Sequence, residues 1–331
     1  MVTQIRDGIY QLKAPIPNNP LENTNIYLIQ GDKNYTLIDA GWNSDTAFNS
    51  INRQLAEVGV GLPDIGQIVI THAHFDHFGL VGRIKQASGA KIYIHDLEKE
   101  VFRTRYEVTD DFLHRIDTWF VTNGVPAEMI KAVHVPIAGF RNPIPAAPDV
   151  LLQGGETIAS GTFNLQVVWT PGHSPGHICL YEPSQKVLFS GDHVLPVITP
   201  NISLTPTMTT NPLGDYINSL LIVKKLDVEL VLPAHENVFR DLPRRVDAII
   251  RHHEMRSAEI LKAMNHQEMT AYQIAERVTW MPEQGGIKYA DLKPVAQLSA
   301  VSETLAHLKA MSVDKKVTSE TRDNVVYYKY I

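Results

Sequence analysis

Cysteine is almost absent from this chain: Cys179 is the only one in 331 residues, so no intrachain disulfide can form. A reducing compartment is the expectation. The thiol lies in the apolar stretch Ile178 to Tyr181 and reads as a small core residue. No run of about 18 apolar residues occurs, which excludes a membrane-spanning helix of ordinary kind. The opening Met1-Val2-Thr3-Gln4-Ile5-Arg6-Asp7 shows no basic segment leading into an apolar one, and this predicts a cytoplasmic protein. Low-complexity tracts and fixed-period repeats are also missing.

What is present is histidine, concentrated in Thr71-His72-Ala73-His74-Phe75-Asp76-His77. The motif ends an apolar run, Gly66 to Ile70, that reads as a buried strand. Three imidazoles and a carboxylate crowded there would cost several kcal/mol in desolvation unless a cation held them. The spacing lets His72 and His74 face one ion while Asp76 and His77 face a neighbouring one, because the chain turns sharply after the strand. Three further residues each close an apolar strand. His173 stands in Thr170-Pro171-Gly172-His173 after Asn164 to Trp169, Asp192 in Ser190-Gly191-Asp192-His193 after Lys186 to Phe189, and His235 in Leu232-Pro233-Ala234-His235 after Val228 to Val231. Ligands delivered from the same ends of several strands are how an α/β layered scaffold assembles a site.

On these motifs the chain resembles the metallo-β-lactamase-fold hydrolase superfamily, over roughly its first 245 residues. The resemblance implies a four-layer αββα sandwich, with metals in a cleft at one edge of two sheets. It implies that His72, His74 and His173 hold one ion, that Asp76, His77 and His235 hold the other, and that Asp192 bridges them. It also narrows the branch. A lactonase of the best-known type has a Tyr three residues after the bridging Asp, where this chain has Leu195. Glyoxalase II shares the ligand set, but its basic glutathione contacts are not recognisable here.

From about residue 97 to 148 the pattern turns helical with scattered aromatics. In comparable hydrolases such an insertion roofs the cleft, so Tyr106, Phe112, Trp119 and Phe120 are candidate walls of a substrate pocket. Residues 246 to 331 form a second unit. A long helix from Asp241, a second opened by the capping-box pattern Thr270-Ala271-Tyr272-Gln273, a third over Ala296 to Met311 and a terminal hairpin about Arg322-Asp323-Asn324 make up the order of a winged helix. This tail resembles the winged-helix domain carried by a subset of the superfamily that includes endoribonucleases and thioesterases. Its third helix, Ser299 to Leu308, is poor in Lys and Arg, so packing or homodimerisation is favoured over nucleic-acid binding.

The chemistry expected is hydrolysis. Two divalent ions sharing a water lower its pKa and leave a hydroxide poised for attack, with Asp76 orienting it and passing its proton to the leaving group. Histidine and carboxylate ligands without thiolate suit zinc first, and iron or manganese next. The reading is a hydrolase of an ester, thioester or lactone of a small molecule. The alternative is a metal-dependent endoribonuclease acting on single-stranded RNA. A mononuclear iron oxygenase is disfavoured by the complete second ligand set.

Overall fold

The first sheet has seven strands that pair in chain order. They are β1 (Thr3–Arg6), β2 (Ile9–Pro15), β3 (Asn23–Gln30), β4 (Tyr35–Ile38), β5 (Ile65–Val69), β6 (Lys91–His95) and β7 (Val150–Leu152), and β2 to β4 are buried along most of their length. Pairing is antiparallel as far as β4 and parallel beyond it. The computed structural model describes residues 2–101, 110–138, 146–206, 208, 210–281 and 285–331. Ile5 to Leu12 reads as one strand in the sequence, but the chain reverses at Gly8 (φ +72°), so β1 and β2 form a hairpin.

The second sheet runs β12 (Leu230–Pro233), β11 (Val187–Gly191), β10 (Ile178–Glu182), β9 (Phe163–Trp169) and β8 (Thr157–Ser160). Only β11 and β12 pair in parallel. Every residue of β10 and β11 is buried, as expected of strands covered on both faces. Ile9, Tyr27, Ile29, Ile38 and Val69 of the first sheet meet Leu165, Val167, Leu180, Phe189 and Leu232 of the second.

Helices supply the outer layers. On the first sheet lie α1 (Asp45–Glu57), the single turn α2 (Phe75–Phe78) and α3 (Val81–Ser88), through Ala47, Ile51, Leu55, Phe78, Val81 and Ile84. Ser44 starts α1 by accepting the Ala47 N–H at its hydroxyl. On the second sheet lie α6 (Pro212–Val223) and the first turns of α7 (Leu242–Met264), through Tyr216, Leu220, Val246 and Ile249, with Cys179 in the same layer. The architecture is a helix–sheet–sheet–helix sandwich.

Between the sandwich layers in chain order come α4 (Asp110–Thr122) and α5 (Ala127–Ala138), the described helices of the insertion. Phe120, Val125, Ile130 and Val133 join one apolar cluster with the end of α7, with α8 (Ala271–Ala275) and with α9 (Pro294–Val313). The capping box at Thr270 and Gln273 forms, yet α8 ends at Ala275. The chain then pairs β13 (Thr279–Trp280) with β14 (Ile287–Lys288). After α9, β15 (Val317–Arg322) and β16 (Val325–Tyr330) make the terminal hairpin, whose turn residues Asp323 and Asn324 both have positive φ. Helix α9 is buried along most of its length, from Leu298 to Met311. The expected boundary at residues 245 and 246 falls inside α7, whose early turns pack on the sandwich and whose late residues Ile260 and Met264 pack in the C-terminal cluster. No helix among the described residues is long and apolar enough to cross a membrane.

Candidate metal centre

Strand ends bring the ligand candidates together. After β5 the chain continues through Ile70 and Thr71, and Asp39, just past β4, receives the Thr71 N–H at 2.8 Å and the Thr71 hydroxyl. The same carboxylate accepts from His77 Nδ1 at 2.8 Å, which directs His77 Nε2 towards the cluster. His235 is oriented likewise by its Nδ1–H donating to Asn23 O at 3.1 Å, and His173 by donating to Asn201 O at 2.9 Å. Strand β3 also stitches down the loop carrying His235, since Tyr27 Oη donates to Pro233 O at 2.7 Å and Asn25 Nδ2 to Pro233 O and Glu236 O.

Two groups result. His72, His74, His173 and Asp192 each offer one ligand atom, all within 4.8 Å of one another, and Asp76, His77 and His235 do the same. Asp192 touches both. Its Oδ2 lies 3.9 Å from His72 Nε2, 3.6 Å from His173 Nε2 and 3.5 Å from His77 Nε2, while Oδ1 lies 3.4 Å from His235 Nε2. Asp76 Oδ2 lies 3.3 Å from His235 Nε2 and 3.7 Å from His77 Nε2.

Residues 19–235, which hold every one of these groups, match the family model described as the metallo-beta-lactamase superfamily. The chain belongs to that superfamily. It is 26% identical over 98% of both chains to "Probable metallo-hydrolase YqjP" of Bacillus subtilis. It is 30% identical to "Acyl-coenzyme A thioesterase MBLAC2" of Gallus gallus, over 65% of this chain and 73% of that protein. The crystal structure of a metallo-beta-lactamase family protein from Thermus thermophilus superposes with TM-score 0.84 at 26% identity, covering 99% of this chain and 100% of that one. The tail is therefore part of an architecture shared beyond this chain.

This member of the superfamily fits divalent cations by its unpaired atoms. His72 Nε2, His77 Nε2, His235 Nε2 and Asp192 Oδ1 are buried with no hydrogen-bond partner, a costly state that a coordinated cation relieves. Burial pushes the His72 imidazole well below its ordinary pKa, and the neighbouring imidazoles push it further. Burial acts the same way on His77, but Asp192, Asp76 and Asp39 outweigh it and hold His77 well above the ordinary value. His235 is also raised, by Asp192 and Asp76 against the effect of burial. Burial alone would raise Asp192, yet His235 and His77 hold it well below the usual carboxylate range.

A proton count follows from these directions. With Nδ1 of His77 and of His235 donating to protein acceptors, the titrating proton sits on Nε2, and the raised pKa values favour keeping it there in the metal-free protein. A cation needs that lone pair, so binding expels the proton. Titrating metal-free protein with zinc at pH 7 should give a heat that varies with the buffer's ionisation enthalpy, showing net proton release. The release should shrink as pH rises through the raised pKa values. Heats identical across buffers at pH 7 would disprove the assignment.

Two residues of the site carry no sequence motif of their own. Asp39 is one, and Glu98 is the other. Glu98 is fully buried and accepts the Ala73 N–H at 2.7 Å, the Gly176 N–H at 2.7 Å and the Ser174 hydroxyl, so it ties the His72/His74 loop to the His173 loop. In sequence Glu98 is one of several charged residues opening a polar helical stretch, and nothing there distinguishes it. His177 proves a support as well. Its Nε2 accepts the Asp192 N–H at 3.2 Å and its Nδ1 pairs with Thr170 Oγ1 at 2.8 Å, the pattern of a neutral ring. Gly191 makes room for it: with φ at +51°, a Cβ there would lie 2.7 Å from His177 Nε2. His193 points into the layer behind the second sheet, its ring 5.1 Å from that of Tyr216, and burial lowers its pKa to about 3.

Of the aromatic candidates, Phe120 is buried in the cluster shared with the tail and Trp119 packs T-shaped on it at 5.0 Å. Phe112 is half-buried with the Arg115 guanidinium 5.8 Å from its ring. Tyr106 lies outside the described residues.

Proposed function

We propose that this chain is a dinuclear metal-dependent hydrolase of small-molecule acyl thioesters. The observation that carries the reading is Asp192, whose two oxygens reach one ligand group and the other. Divalent ions held there, zinc first by the imidazole and carboxylate donor set, would supply Lewis acidity and bring the pKa of a shared water towards neutrality. Within the chain, His72, His74 and His173 would hold one ion, Asp76, His77 and His235 the second, with Asp192 between them.

Asp76 is the group placed to handle the reaction's proton. Its side chain retains 18% exposure, whereas His77 and His235 of the same group are buried, which leaves its carboxylate open to a bound substrate. Burial would raise its pKa, but His77 and His235 hold it below the ordinary value, which favours the ionised carboxylate, able to orient a nucleophile by accepting its hydrogen bond. A carboxylate with so little tendency to hold a proton suits a leaving group that departs as an anion. A thiolate, with an ordinary conjugate pKa of about 8.5, does so far more readily than an alkoxide or an amine. The likeness to acyl-coenzyme A thioesterases supports the same substrate class.

Cleavage of single-stranded RNA is the weaker alternative, because α9 is core and the whole chain carries a formal charge of −6. The test is a panel of acyl thioesters, oxygen esters, lactones and single-stranded RNA, run with zinc-loaded protein and after chelation. Thioester cleavage should dominate, disappear with chelator and return with zinc. RNA cleavage with no thioester turnover would reverse the ranking.

A further inference from the structure

We propose that Glu303, on helix α9 of the C-terminal segment, is a positioning residue of the metal centre that acts through Asn201 on His173. The inference rests on the reading of His173 as a metal ligand. An imidazole ligand is aimed by the partner of its other nitrogen, and for His173 that partner is the backbone carbonyl of Asn201. Asn201 lies in a segment, from His193 to Pro206, that contains neither helix nor strand, so neighbouring groups must hold its carbonyl in place.

Those groups come from α9. Asn201 Nδ2 donates to Glu303 Oε2 at 2.9 Å, and Leu204 N–H donates to Ser302 O at 3.0 Å. Glu303 Oε1 lies 3.7 Å from Nε of the buried Arg256. Arg256 is anchored in turn by Thr279 O at 2.6 Å, by Glu259 at 2.9 Å and by the Trp280 ring at 4.7 Å. At the other end of the segment, Arg245 donates to the carbonyls of Leu195, Val197 and Ile198, and the Glu236 carboxylate accepts the Val197 N–H. The segment is a strap between the metal cluster and the C-terminal core, with Glu303 as its buckle. On this view the tail completes the centre by holding one ligand's orientation.

The experiment uses the full chain. Zinc affinity is measured by competition with a chromophoric chelator, alongside thermal unfolding at saturating zinc, for Glu303→Ala, Glu303→Gln, Asn201→Ala and the Ala double variant. Asn201 is exposed, so its truncation tests the link without touching the core. Each single Ala variant should bind the zinc held by His72, His74 and His173 about tenfold less tightly. The double variant should be no worse than either single, since both break one link. Glu303→Gln should stay near the parent, because its amide oxygen still accepts from Asn201. Parent-like affinity in both Ala variants, additive losses, or equal loss in the Ala and Gln variants would overturn the proposal. A parent chain that binds no divalent ion would overturn the metal reading itself, a separate and recognisable result.

Discussion

Replacing Asp192 with asparagine is expected to reduce hydrolytic turnover by more than about a hundredfold while the protein still folds, since even residues one step removed from a metal cost about 10 to 100-fold. Asn keeps the shape and removes the charge. Among the described residues, Asp192 is the one carboxylate within 4 Å of Nε2 on each of His72, His77, His173 and His235, so its charge is what two adjacent cations would share. The amide's N–H2 group cannot ligate a cation, and it can donate to the bare Nε2 atoms whose lone pairs the cations need. Elemental analysis should find about two ions per parent chain, the number shared by a two-metal site, and a clear deficit in the variant. Unchanged turnover with a full complement of metal would remove Asp192 from its bridging place.

Truncating Glu98 to alanine should have the largest effect of any change that touches no ligand. Three donors, the Ala73 and Gly176 amides and the Ser174 hydroxyl, lose their acceptor in a fully buried position. Each buried group left unpaired costs about 1 to 3 kcal/mol, so a loss of about 3 kcal/mol or more is expected in denaturant unfolding. Zinc affinity should fall by about 10 to 100-fold as well, because the loops carrying His72, His74 and His173 lose their tie. Glu98→Gln, which keeps one acceptor oxygen but turns an N–H2 group towards donors, should fall between parent and Ala. Parent-like stability and zinc affinity in Glu98→Ala would show that the loops hold their places without it.

The division between what could be read along the chain and what could not follows from range. Strand ends with His or Asp after them are local events, in which hydrophobic periodicity stops and a titratable residue follows, so all seven ligand candidates stood out. The capping box at Thr270 and the Asp323-Asn324 turn are equally local, and both form. Asp39, Glu98 and Glu303 are different. Each looks like an ordinary polar residue until its partners, 25 to 102 positions away, are in place. The direction in which the insertion packs was also beyond local reading. The aromatic pattern of α4 specifies an apolar face but not which neighbour will cover it, and the C-terminal cluster covers it.

By itself the sequence determined the superfamily, the layered fold and the residues able to hold metal, because patterning and ligand type are written in short windows. Only the tertiary structure decided which carboxylates aim and tie those ligands, and that α9 belongs to the core and reaches the centre through Asn201. Those are long-range juxtapositions, set by how sheets and helices pack against one another, and no short window of sequence contains them.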